Sequence, residues 1–145
     1  MNIRRFWSGF SWGVLATVGM SIPMIIGSVA GVAPMPEPIP KAIVTTILGK
    51  QFPTLLIMLL AAGSHLVYGG IWAALLTQVT ARVTIWKGLS LGVFLWLLMQ
   101  VAVLPFIGWG LFGTTITSKI AVATLVLHLI YGALVGWLVD RREGR

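Results

Sequence analysis

A chain of 145 residues that is 58% hydrophobic and 9% charged, with a mean hydropathy of +0.99, has too little polar surface to stay in water. A soluble domain of this size has roughly a quarter of its residues charged. The net charge of +7 raises nucleic acid as a partner, but the basic residues flank apolar runs instead of gathering in a patch, which argues against it. No cysteine is present, so disulfides, thiolate metal sites and cysteine nucleophiles are excluded.

Four apolar runs, near residues 12–33, 53–79, 89–107 and 117–139, each approach the roughly 20 residues that cross a bilayer as a helix. Transmembrane strands would be shorter and would alternate in polarity. The expected fold is all-α: a single transmembrane domain built as a four-helix bundle, with the lipid bilayer as its first partner.

Arg4-Arg5, an apolar run and then Ser28-Val29-Ala30 superficially resemble a cleavable leader. The run is too long for a leader core, and its removal would leave an odd number of spans, so retention is expected. Span one contains Pro23, which frees a carbonyl and predicts a kink. It also carries Gly9/Gly13 and Gly27/Gly31, small residues four apart that let helices approach closely. Pro34-Met35-Pro36-Glu37-Pro38-Ile39-Pro40 then enforces an extended path. Residues 41–50 read as a short helix with Ile43, Val44, Ile47 and Leu48 on one face, lying along the external membrane surface.

Pro53 opens span two where proline is tolerated, in the first turn. The turn from Thr80 to Lys87 is short and basic, which makes spans two and three antiparallel neighbours. Small pairs recur at Gly69/Ala73, Gly88/Gly92 and Gly132/Gly136, and serve packing within the bundle or contact in a homo-oligomer. The glycine-rich loop at 108–113 is expected to dip into the external interface, with Trp109 marking that face. Thr117 or Ser118 can cap the last helix. Residues 140–145 read as a solvated tail.

Arg4, Arg5, Arg82, Lys87, Arg141, Arg142 and Arg145 fall on one side of the four spans, and Lys41, Lys50 and Lys119 on the other. The positive-inside rule puts the first side, and with it both termini, in the cytoplasm. Trp7, Trp12, Trp86 and Trp137 cluster at that side, as an interfacial belt would.

One signature occurs twice: His65-Leu66-Val67-Tyr68-Gly69 in span two and His128-Leu129-Ile130-Tyr131-Gly132 in span four. With Gly13-Val14 against Gly92-Val93 in the other two spans, it suggests a duplicated helix hairpin with parallel halves. Each histidine lies 11 or 12 residues into its span, so both sit near mid-membrane at similar depth. Spans two and four lie diagonally across an up-down-up-down bundle, which lets the two imidazoles face each other.

Three readings follow from those histidines. Each ring can hydrogen-bond a tyrosine, Gln100 or a serine across the interface, as ordinary interhelical glue. The pair can instead ligate a b-type haem from both faces, although no clear propionate-binding arginine lies near them. Or His65, His128, Tyr68, Tyr131 and Gln100 can form a polar path for a proton or small solute, without any Asp or Glu inside a span.

Catalysis has little support. No Gly-rich phosphate loop and no His-Glu-x-x-His zinc motif occur. The one aspartate, Asp140, lies at the C-terminal end, and Glu37 is the lone acid on the external side. No catalytic residue and no metal site is expected, and no cofactor unless the haem reading holds.

The glycine-rich first span with its internal proline, Met35-Pro36-Glu37-Pro38-Ile39-Pro40-Lys41, His65-Leu66-Val67-Tyr68-Gly69 and the stretch from Leu127 to Gly136 together carry a resemblance. On these the chain resembles the small four-span bacterial and archaeal inner-membrane proteins of unknown function described as YagU-like. That resemblance implies a prokaryotic cytoplasmic membrane location and no established activity. The expected role is a small, non-enzymatic membrane protein, structural or accessory to a larger membrane complex. A solute or proton conductor and a bis-histidine haem electron-transfer subunit are its rivals.

Overall fold

The structure, a computed structural model, describes residues 2–49 and 51–143. Lys50, Arg145 and the end of the C-terminal segment, on which part of the charge argument rests, lie outside them.

All regular structure among the described residues is helical: α1 (Ile3–Val29), α2 (Ile39–Leu48), α3 (Thr54–Val79), α4 (Ile85–Phe106) and α5 (Lys119–Glu143). Every helix but α2 is long and apolar enough to cross a membrane. Their outward faces are bare hydrocarbon, with Ile26, Leu55, Leu59 and Val122 all more than 60% exposed. That pattern suits lipid, because an amphipathic helix of a soluble protein would turn a polar face outward.

Polar caps set the boundaries, and they differ from the apolar runs. α1 begins nine residues before the expected start because Asn2 accepts a hydrogen bond from the Arg5 N–H. It ends early at Gly31, whose φ of +70° lets the Val32 and Ala33 N–H groups return to the Gly27 carbonyl. Gly27/Gly31 is therefore a helix terminus, not a packing pair. Thr84 caps α4 through the Lys87 N–H, and the Thr117 hydroxyl accepts from the Lys119 N–H at the start of α5. Pro23 sits inside α1 without ending it.

The helices pack as two hairpins, α1 with α3 and α4 with α5, joined through α1 and α5. Each hairpin closes on glycines. A Cβ on Gly13 would meet the Gly69 carbonyl at 2.6 Å and the Ala73 Cβ at 2.5 Å. A Cβ on Gly88 would strike the Gly132 carbonyl and come within 2.7 Å of the Gly136 nitrogen. Small-residue pairs therefore serve the interior of one bundle, as lipid-solvated helices require. The contacts also correct the repeat register. Gly13 plays against Gly69 and Ala73 the part that Gly88, not Gly92, plays against Gly132 and Gly136.

The halves are not equivalent in their mutual contact. α1 packs along α5, whereas the matching pair, α3 and α4, separates beyond its short turn. The turn does make them antiparallel, but not neighbours along their length. A chain of edge-on rings spans the gap instead, Tyr68 to Trp72 at 6.1 Å and Trp72 to Phe94 at 5.5 Å.

At the end bearing the termini, Arg5 donates to the Thr80 and Ala81 carbonyls, each at 3.1 Å, and Arg82 pairs with Asp140 at 2.7 Å. Asp140 thus belongs to a continuing α5, where a solvated tail was expected. At the opposite end α2 docks on the bundle. Its buried residues are Ile39, Ala42 and Val44, and Ile47 stays 64% exposed. Ile39 and Ala42 join Met99, Leu104, Trp109 and Ile120 in one core cluster. Trp109, expected at the interface, is buried there. Glu37 pairs with Lys41 at 3.1 Å, one helical turn along.

Candidate functional site: an intramembrane histidine cavity

Beneath α2 the bundle surrounds a partly open cavity of about 260 Å³. The register that pairs Gly13 with Gly88 also pairs Met20 with Leu95 and Met24 with Met99, and all four residues line it. His65 from α3 and His128 from α5 line it too, so the space lies on the pseudo-symmetry axis of the two hairpins. Ser64, Tyr68, Thr124, Met35, Ile39 and Ile43 help to complete the wall, the last two from α2. Among the described residues no charged one lines it.

The two histidines are not in equal states. His128 Nδ1 lies 2.8 Å from the Thr124 carbonyl of its own helix, and since a carbonyl only accepts, that nitrogen carries the proton. In the neutral ring, Nε2 is then the lone-pair nitrogen. His65 Nε2 is buried without any hydrogen-bond partner. Among the described residues neither ring makes the expected bond to a tyrosine, Gln100 or a serine across the interface. His65 also lines a second cavity of about 360 Å³ between α1, α2 and α3, so its ring stands in the partition between the two.

Gln100 is fully buried and lies outside the cavity wall, but is coupled to it. Its Nε2 donates to the Thr124 hydroxyl at 2.9 Å, and that hydroxyl donates to the Ile120 carbonyl at 2.7 Å. Its Oε1 is, with His65 Nε2, one of two buried side-chain polar atoms without a partner among the described residues. Gln100 sits in a π-helical turn, Met99–Val103, closed by the Leu104 N–H on the Met99 carbonyl. The wider turn comes just before Pro105, whose ring would clash with a regular α-helical carbonyl.

The tyrosines part company. Tyr131 is 2% exposed and donates to the Gly69 carbonyl at 2.6 Å, tying α5 to α3. Its counterpart Tyr68 is 41% exposed at the open α3–α4 gap. Of the five residues singled out in the sequence, His65, His128 and Tyr68 therefore share the cavity. Gln100 supports it through Thr124, and Tyr131 serves packing. Tyr131→Phe is expected to lower stability by about 1 kcal/mol, near what one buried intramembrane hydrogen bond contributes. Tyr68→Phe should change it by less than about 0.5 kcal/mol. Denaturant titration in mixed micelles measures both, and equal effects would contradict this assignment.

The methionine lining escaped the sequence reading, because methionine in an apolar run carries no signal of its own. Four of the chain's six methionines line this cavity: Met20, Met24, Met35 and Met99. Their flexible thioethers adapt to an irregular apolar occupant.

Four membrane-length helices around an uncharged cavity that opens to one side define a polytopic helical membrane protein. The chain belongs to a family of unknown function (DUF6789), matched over residues 3–145. No curated protein and no solved structure matches it.

Proposed function

We propose that this protein is a non-enzymatic accessory component of the membrane that holds a small apolar molecule within the bilayer, between His65 and His128. The observation that carries this reading is the 260 Å³ cavity on the pseudo-symmetry axis, lined by both histidines of the chain. Ligand sites are concave, mostly apolar and furnished with a few polar groups, and this one has that make-up. A histidine without a partner in so apolar a setting is otherwise hard to account for.

Conduction fits the geometry less well. A path would have to continue from Met20, Tyr68 and Leu95 to the end bearing the termini. There Ala16, Ala73, Leu91, Tyr131 and Val135 pack in one buried cluster. A haem would find no arginine or lysine in the wall for its propionates.

Native mass spectrometry of protein released from membranes tests the binding reading. A stoichiometric small molecule is expected on the wild type and should be lost in His65→Ala/His128→Ala. Protein that arrives bare, and is not stabilised by any apolar compound added in solution, would remove the reading. A Soret band after haem-replete expression would replace it with the haem alternative.

The same reading places the protein in a prokaryotic cytoplasmic membrane, as the YagU-like resemblance implies, with both termini in the cytoplasm. The distribution of basic residues supports that orientation. Because the chain has no cysteine, single cysteines report sidedness cleanly. In intact cells an impermeant maleimide should label Thr114→Cys and spare Ala81→Cys. The reverse pattern inverts the topology.

A further inference from the structure

We infer that the molecule held in this cavity is a neutral phenol or quinol head group dissolved in the membrane, bound through a hydroxyl placed between the two imidazoles. The inference rests on the binding reading above and names its ligand class. The absence of any charged side chain from the wall selects a neutral occupant, because an ion would lack a counter-charge in a low-dielectric site.

Hydrogen bonding narrows the class further. The Ser64 hydroxyl is committed to the Ala61 carbonyl, and the Thr124 hydroxyl to the Ile120 carbonyl. The imidazoles are left with unmet capacity. His128 Nε2 accepts, because Nδ1 holds the ring proton against Thr124. It therefore calls for a donor, and a quinone or ketone oxygen cannot supply one. A hydroxyl can, and it keeps its own lone pairs for the nitrogen of His65, which has no partner among the described residues.

Size and lining favour a ring on that hydroxyl. A cavity of about 150 Å³ accommodates benzene, so 260 Å³ leaves room for ring substituents. Thioether sulfur makes favourable contacts with aromatic edges, and Met20, Met24, Met35 and Met99 supply four such groups.

Access is from lipid. Ser64 and Tyr68 line the cavity and are both exposed, at the gap between α3 and α4 that breaks the pseudo-symmetry. The corresponding α1–α5 contact is closed, and there Tyr131 is pinned to Gly69. A ligand already dissolved in the bilayer can enter between α3 and α4 without crossing water.

A matched set of probes separates this inference from the reading beneath it. Para-butylphenol, its methyl ether para-butylanisole and butylbenzene share shape and differ in the hydroxyl. Binding to wild-type protein in lipid nanodiscs would be followed by nitrogen NMR of the two histidines. The phenol should bind about ten-fold more tightly than the ether, as expected when one hydrogen bond in a dry site is lost, and should shift His128 Nε2. In His128→Ala the phenol and ether should bind within a factor of about two of each other. Equal binding of phenol and ether to the wild type would overturn the hydroxyl inference and leave the cavity reading standing. No binding by any of the three would overturn both. The wild-type comparison decides the matter even if the variant fails to fold.

Discussion

Gly132→Ala is expected to destabilise the protein by about 3 kcal/mol, whereas Gly63→Ala should leave it unchanged or stabilise it by up to about 1 kcal/mol. The same methyl group is added to a helix in both cases. At position 132 it would strike the Gly88 carbonyl oxygen, with the carbonyl carbon at 2.9 Å and the Leu89 Cα at 3.1 Å. These are backbone atoms, so no rotamer change can relieve the overlap and α4 must move away from α5. At position 63 nothing lies within 4 Å, and alanine brings only its better helix propensity. Gly88→Ala makes the reciprocal collision with the Gly132 carbonyl. Once either substitution has pushed the helices apart, the other has less left to disrupt. The double variant should therefore fall well short of the summed single effects. Denaturant titration in mixed micelles, followed by helical circular dichroism, gives all four values. A Gly132→Ala protein as stable as Gly63→Ala would mean that α4 and α5 do not meet at these glycines.

The spans and their packing device were legible because both follow from gross features of the chain. A bilayer needs long apolar runs, and lipid-solvated helices need small residues to approach closely. What escaped was set by individual polar groups and by tertiary fit. Hydropathy cannot see that Asn2 starts α1 ahead of Arg4 and Arg5, or that Gly31 stops it by taking a positive φ. The face of α2 was legible in part: Val44 is buried, and Ile43 and Leu48 pack against the bundle. Ile47, as apolar as Ile39, stays exposed, and only the presence of Met99 and Trp109 brings Ile39 and Ala42 under cover.

The site was half legible for a related reason. A repeated signature located His65 and His128 at one depth, and they do share one cavity. Repetition also predicted equal surroundings, and there it misled. Tyr131 is bonded and buried while Tyr68 is exposed, because α1 closes on α5 and α4 does not close on α3. The π-helical turn around Gln100 had a visible cue in Pro105, but the link from Gln100 through Thr124 to the carbonyl beside His128 needed coordinates. The departure from symmetry is what gives the cavity an entrance. Had α4 closed on α3 as α1 closes on α5, His65 and His128 would be sealed from lipid on both sides.

His65→Leu should make the protein more stable, by about 1 to 2 kcal/mol. Leucine is apolar and of comparable bulk, so it fills the wall between the two cavities without leaving an unpaired nitrogen. The gain is the desolvation penalty that Nε2 carries in the unliganded protein. His128→Leu is the contrasting case. It removes the Nδ1–H bond to Thr124, a contact within one helix, and is expected to change stability by less than about 0.5 kcal/mol. A gain on removing His65, with little change on removing His128, is what a ligand-binding role for His65 requires, because a purely structural histidine would lower stability when removed. A destabilised His65→Leu protein would show that the ring has a partner in the membrane that offsets its burial. The unpaired nitrogen would then no longer argue for an external ligand.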